Sequence, residues 1–228
     1  MRAIYLLADS ILLFRKDAAG QPVLQSIRQH IDTADPLAVY IGASNGDAPE
    51  FYDFFQGGMK KLGIHRCQQI HSNFPKEDRQ ALQAADLILL AGGDPLLAWS
   101  TFEQSGMKVV LEEKYRQGTP FIGISAGAIN MATQWFEETA QSLTPMFNWF
   151  PFIVDVHDEK ANWGRLKEHL AQSKAAQTAL GICSASALVY YPDGAYELIG
   201  KSVYRFDRQA DGSWQKLTLP KSGQLINI

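Results

Sequence analysis

The sequence predicts an α/β fold: a mostly parallel sheet with helices on both faces. Three observations point to it. Short, almost wholly apolar runs alternate along the chain with longer amphipathic ones, the pattern of strands buried on both faces by crossover helices. Two of these runs stop in polar, glycine-bearing turns, at residues 43–47 and 91–95, where strands of such a sheet place their functional loops. A third runs from Thr119 directly into Gly123-Ile124-Ser125-Ala126-Gly127, the Gly-x-Ser-x-Gly pattern of a strand-to-helix corner that presents a serine.

The elements follow in order. Residues 3–8 form a first strand. The apolar run from 3 to 13 is broken by Asp9 and precedes no convincing cleavage site, so it reads as a strand and not as a signal peptide. Residues 22–31 form a short amphipathic helix, and 37–42 a buried strand ending in the turn 43–47. A helix over 49–62 spaces Phe51, Phe54 and Phe55 along one face, which favours core packing over a ligand wall. Residues 66–71 make a third strand of mixed polarity, 76–85 a helix, and 86–90 a strongly apolar strand. Helices over 96–105 and 107–117 lead to the serine corner. Periodicity weakens between 134 and 151. Residues 152–156 form a strand stopping at His157, and 164–172 a helix with Leu166 and Leu170 on one face. Residues 187–191 form a strand and 192–195 a turn. Runs 197–199 and 202–206 read as antiparallel strands at the edge of the sheet, with a last hairpin at Asp211-Gly212. No repeat, linker or low-complexity tract interrupts the chain, so residues 1–228 read as one domain.

Composition narrows the function. A chain of 228 residues is long enough for one substantial core. The formal charge of −3 is spread without long runs, which argues against nucleic acid or a membrane surface as partner. No apolar stretch reaches the length of a membrane span. Cys67 and Cys183 stand in no metal-ligand spacing, so reduced thiols in a cytoplasmic protein are expected, with no metal and no cofactor.

The corner carries the chemistry. A serine at a sharp strand-to-helix turn takes a strained backbone, and small residues on either side let strand and helix approach. Ser125 then projects beside amides at the helix start, among them that of Ala126, which stabilise an oxyanion. A Gly/Ala turn that merely packs helix on sheet is the bland alternative. A serine hydroxyl needs a base. Of the five histidines, His30, His65, His71 and His169 lie in helices or beside a weak strand, whereas His157 follows an apolar strand downstream of the corner.

Four stretches resemble the peptidase E and cyanophycinase family of serine peptidases, whose fold is similar to class I glutamine amidotransferases. Gly92-Gly93-Asp94 is similar to a glycine-rich turn that supplies an oxyanion-hole amide, which implies that role for Gly93. Gly123-Ile124-Ser125-Ala126-Gly127-Ala128 resembles the family's nucleophile segment. Val154-Asp155-Val156-His157, with Trp163-Gly164-Arg165-Leu166 beyond it, resembles the cyanophycinase branch. Leu180-Gly181-Ile182, Ala187-Leu188-Val189 and Leu198-Ile199-Gly200 are similar to that branch's terminal strands. The resemblance implies a peptidase of small acidic or β-linked aspartyl peptides, with Ser125 as nucleophile, His157 as base, and the amides of Gly93 and Ala126 as oxyanion hole.

One departure stands out. The cyanophycinase branch places an acid just after its Gly-Ile element, whereas this chain reads Gly181-Ile182-Cys183-Ser184-Ala185-Ser186. Glu137 or Glu138 would supply the acid if the chain followed the peptidase E branch. Otherwise the Ser184 hydroxyl orients the imidazole, the reading preferred here. Asp158 and Glu159 are expected to point away. Arg165 and Asn45 are candidates for substrate charges, with structural roles favoured. The expected partner is a small peptide, and a homodimer is an admissible assembly. The rival reading is a binding or regulatory pseudoenzyme that keeps the pocket without an acid.

Overall fold

The computed structural model describes residues 3–137, 139–173 and 178–225. Strand β1 (Ile4–Leu7) lies inside an eight-stranded sheet. With it run β2 (Leu37–Ile41), β3 (Arg66–Ile70), β4 (Leu87–Leu90) and β5 (Phe121–Ile124), all paired in parallel in the order β1-β5-β4-β2-β3. The crossovers are α1 (Pro49–Lys61), α2 (Lys76–Ala84), and the pair α3 (Pro95–Ser105) and α4 (Met107–Arg116). Helix α5 (Ala126–Met131) follows β5 directly.

The apolar runs are explained by two cores, one on each face. In β1, Ile4 and Leu6 face one side and Tyr5 and Leu7 the other, the two-residue period of a strand. The first side is sealed by Leu82, Trp99, Phe102 and Leu111 from α2, α3 and α4. The second is sealed by Phe55 and Met59 of α1 and by Leu12, Leu13, Leu24 and Ile27. Each such fully buried side chain contributes about 1.5–3 kcal/mol.

The carboxyl-terminal third departs from the expected arrangement. The run over 134–151, where periodicity weakens, holds a hairpin, β6 (Gln134–Glu137) with β7 (Ser142–Pro145). The strands β8 (Ile153–Val156), β9 (Thr178–Ile182), β12 (Val203–Arg208) and β13 (Trp214–Thr218) form a second sheet, ordered β13-β12-β9-β8. Among the described residues, only β10 (Ser186–Tyr190), β11 (Ala195–Gly200) and β14 (Ser222–Gln224) extend the main sheet, through antiparallel pairs beyond β1. The 152–156 and 202–206 runs therefore leave the main sheet.

The cause is a fold-over after β11. Gly200 (φ +90°) reverses the chain where a Cβ would meet the Ala185 carbonyl oxygen at 2.0 Å. The Ser186 hydroxyl accepts the next two amides, from Lys201 and Ser202, at 3.0 and 3.1 Å. One face of the second sheet (Val154, Val156, Leu180, Ile182, Val203) joins the first core. The other (Ile153, Ala179, Phe206) packs under Trp163 and helix α6 (Gly164–Gln172) through Leu166 and Leu170.

The helix expected over 22–31 is shorter and tighter, a 3-10 segment at Gln25–His30 with no side-chain cap at its start. Among the described residues no helix is long and apolar enough to cross a membrane.

Candidate active site

Ser125 sits between β5 and α5 with φ 49° and ψ −108°, a conformation that costs of order 1–3 kcal/mol and persists only where its surroundings enforce it. They do. The Ser125 amide donates to the Leu7 carbonyl at 2.9 Å, and the Gly127 amide to Ala91 at 3.0 Å. A Cβ on Gly127 would lie 2.2 Å from the Leu90 carbonyl oxygen, and one on Gly123 would lie 2.6 Å from Gly127 backbone atoms. The helix thus rests on the ends of β4 and β5 at a distance that only glycine permits.

His157 arrives from the second sheet. It follows β8, whose Val156 pairs with Ile182, and its amide donates to the Ile182 carbonyl at 2.9 Å. The preceding Asp155 is buried and held three ways. It accepts the Val156 amide at 2.8 Å, Arg165 Nε at 2.9 Å and a second bond from Arg165 Nη2. Burial pushes the Asp155 carboxyl up, and the bonds from Arg165 oppose it. The guanidinium also lies over the Trp135 ring, 5.3 Å from its centre. Arg165 is thus a structural clamp that ties α6 to β8. The result is a hydrogen bond of 3.0 Å between Ser125 Oγ and His157 Nε2, with the imidazole exposed. Elsewhere, His71 bonds Asp78 at 2.9 Å, and His169 is buried in α6, where desolvation pushes its pKa down to about 4.

The Gly92-Gly93 turn abuts the serine: a Cβ on Gly92 would lie 3.3 Å from Ser125 Cβ. Gly93 has φ +147°, and a Cβ there would lie 2.1 Å from the Ser44 carbonyl oxygen. Ser44 Oγ donates to the Ala91 and Gly92 carbonyls at 2.9 Å. Asn45 Nδ2 donates to Gly92 at 3.1 Å and to Tyr40 at 2.9 Å. Asn45 therefore braces the turn, although it also borders the cleft. Among the described residues, no backbone acceptor takes the Gly93 or Ala126 amide. Ala126 follows Ser125 directly, and Gly93 lines the same cleft.

Ser125 and His157 open onto a cleft of about 310 Å³. Leu89, Ala91, Ile124 and Tyr40 line its inner part, and Leu13, Phe51, Phe54 and Phe55 border it as well. The expectation of core packing for the three α1 aromatics fits only Phe55. Phe51 and Phe54 are 49% and 58% exposed and serve as cleft wall, because α1 turns one edge of its apolar face past the sheet. Among the described residues of the lining, Asp9 is the one carboxylate. Its carboxylate already accepts the Ile11 amide at 3.1 Å and the Ala185 amide at 2.7 Å.

Among the described residues, none of the partners expected for the imidazole bonds it. Glu138 lies outside the described residues. Glu137 sits in the β6–β7 hairpin, where its carboxylate accepts from Thr139 at 3.4 Å. The Ser184 hydroxyl does not bond the imidazole, whose one hydrogen bond among the described residues is to Ser125. Instead the Ser184 amide donates to Glu159 Oε1 at 3.1 Å. Glu159, expected to point away, thus turns back toward the turn between β9 and β10. Burial opposes its ionisation, but hydrogen bonds from Ser184 and the nearby His157 bring its pKa below the ordinary value. A hint was available only in its place two residues after His157. Among the described residues, no three histidine, cysteine or carboxylate side chains cluster as metal ligands.

Comparison with known proteins gives a consistent set of likenesses. The family model described as peptidase family S51 matches residues 7–190. Peptidase E of Haemophilus influenzae is 26% identical over 145 residues, 60% of this chain, and the match spans 62% of that relative's length. The crystal structure of a peptidase from an acI-B1 Actinobacterium superposes with a TM-score of 0.73 at 19% identity, covering 98% of this chain and 96% of the other. A putative peptidase E from Listeria monocytogenes superposes at 0.64 and 16% identity, covering 88% and 98%. At these identities the two structures are similar in fold.

Proposed function

The chain belongs to peptidase family S51, and from that premise we propose that it is a serine peptidase working through Ser125 and His157 on short peptides with an apolar side chain beside the scissile bond. The observation that carries the reading is the 3.0 Å bond from Ser125 Oγ to His157 Nε2 at a strained corner. In the reaction, Oγ attacks the peptide carbonyl as its proton passes to Nε2. The amides of Gly93 and Ala126 hold the oxyanion, Nε2–H protonates the departing amine, and water then hydrolyses the acyl-serine by the same route. A reduced, cytoplasmic setting belongs to this reading, and both cysteines are free thiols.

The cleft chemistry supports an apolar preference over an acidic one. The acidic or β-aspartyl preference implied by the resemblance needs a cation for the substrate carboxylate. Among the described residues the lining offers no lysine or arginine, and Asp9 would repel a second carboxylate. Phe51, Phe54, Phe55 and Leu13 instead favour an aromatic or aliphatic side chain.

A fluorophosphonate probe tests the centre, with labelling expected in the wild type and absent in Ser125→Ala. Absence of labelling in both would favour the binding-protein alternative. A panel of dipeptide amides tests the pocket. Phenylalanyl or leucyl substrates should be cut at least tenfold faster than aspartyl ones, and the reverse order would overturn the apolar assignment.

A further inference from the structure

We propose that Glu159 is the positioning carboxylate of the Ser125–His157 pair, held in place by the turn after Ile182. The inference rests on the serine peptidase reading above.

The turn itself leads to it. At Cys183–Ala185 the chain crosses from the second sheet to the main one, and Ala185 takes φ 58°. Such a crossing turns backbone amides away from any strand partner, and amides of this kind recruit anions. Here two carboxylates answer: Asp9 accepts the Ala185 amide at 2.7 Å and Glu159 the Ser184 amide at 3.1 Å. Asp9 enters from the end of β1. Glu159 enters from the His157 side, in a short 3-10 turn at Glu159–Ala161.

Two of the atoms at this corner that lack partners concern the pair directly. Glu159 anchors itself through Oε1, which leaves Oε2 buried with no hydrogen bond. The imidazole engages Ser125 through Nε2, and among the described residues nothing engages Nδ1. A buried carboxylate oxygen left without a partner carries its full desolvation cost, so this one calls for a donor. The backbone brings the two groups together: His157 bonds Ile182, Ser184 lies two residues further on, and Glu159 spans the gap. When Nε2 takes the serine proton, Nδ1–H donates to Oε2 directly or through one water. The positive imidazolium then faces a carboxylate. The proton from Oγ stays on Nε2 until the leaving amine takes it, and Glu159 remains ionised throughout.

The other titratable groups at this corner are Asp9, committed to Ala185 and Ile11; Asp158, next to the histidine; and the Cys183 thiol, pushed up by burial. Asp158 Oδ2 is also buried without a partner, which makes Asp158 the natural control.

The test compares Glu159→Gln, Asp158→Asn, His157→Gln and the double variant Glu159→Gln/Ser184→Glu. Glutamine keeps the oxygen that accepts the Ser184 amide, so Glu159→Gln should melt near the wild type. Fluorophosphonate labelling should slow about 100-fold or more in Glu159→Gln, by analogy with the loss of a triad carboxylate. Asp158→Asn should change it less than about threefold. A carboxylate restored at Ser184 in the double variant should recover at least tenfold. Separately, the Glu159 carboxyl titration, followed by carbon-13 NMR, should move to higher pH in His157→Gln, the sign expected when a facing cation is removed. Wild-type labelling rates in Glu159→Gln, or a loss confined to Asp158→Asn, would overturn the proposal. If the wild type itself resists the probe, the peptidase reading fails. The Glu159 titration then decides alone, an unmoved midpoint in His157→Gln ruling the pairing out and an upward shift supporting it.

Discussion

Two corners of this molecule bear the same outline and are held by opposite means. Ser125 and His157 each follow a four-residue buried strand, and each has a positive φ, 49° and 43°. The serine corner is enforced by backbone against backbone, through Gly123, Gly127 and the strand ends beneath them. The histidine corner is enforced by side chains: the buried Asp155–Arg165 pair, and Trp163, whose ring would meet a Cβ on Gly181 at 2.7 Å. Contact through backbone tolerates no change of residue but depends on no charge. Contact through side chains depends on charge and burial, and so responds to pH and to substitution at a distance.

The sharpest way to break the comparison is Gly127→Ala. Its methyl would meet the Leu90 backbone, which no side-chain rotation can relieve, so a loss of about 5 kcal/mol or failure to fold is expected. Denaturant titration measures it, and a loss below about 1 kcal/mol would show that the corner has room to yield.

Arg165→Met strands a buried carboxylate and should cost about 3 kcal/mol, the low end for a broken buried pair because the arginine is partly exposed. Hydrogen exchange should rise in β8, β9 and α6 while β4 and β5 stay protected. Serine labelling should drop with it, and uniform loosening of both corners would contradict the division.

Acid should reach the same region. The unfolded His169 ring takes a proton near ~6.5, the folded one only near about 4. Between those values unfolding takes up a proton. The contribution is therefore complete above ~6.5 and is lost as pH falls toward about 4, with a ceiling of roughly 3 kcal/mol. His169→Gln should flatten that part of the stability profile measured by urea denaturation.

The smallest effect on stability is expected from Phe54→Ala at the cleft wall. Its exposure limits the loss to about 0.5 kcal/mol, while KM for a phenylalanyl substrate should rise roughly tenfold with kcat little changed. An equal fall in kcat would mean that Phe54 aligns the scissile bond as well as gripping the side chain.

What the sequence determined by itself was whatever local chemistry enforces. The alternation of apolar and amphipathic runs specified the parallel strands and their helices, because a strand buried on both faces admits no polar residue. The pentapeptide around Ser125 specified its own corner, because only glycine fits at 123 and 127. Tertiary structure decided what depends on partners far along the chain. It moved residues 152–156 and 202–206 into a second sheet, since a short strand carries no record of which edge it joins; both pair there with β9, 202–206 after the reversal at Gly200. It turned Arg165 inward to Asp155 and left Phe51 and Phe54 as cleft wall, although their spacing matches that of core residues. It also brought the Glu159 carboxylate to the Ser184 amide, because an unpaired amide in a crossing turn attracts whichever anion the fold carries past it.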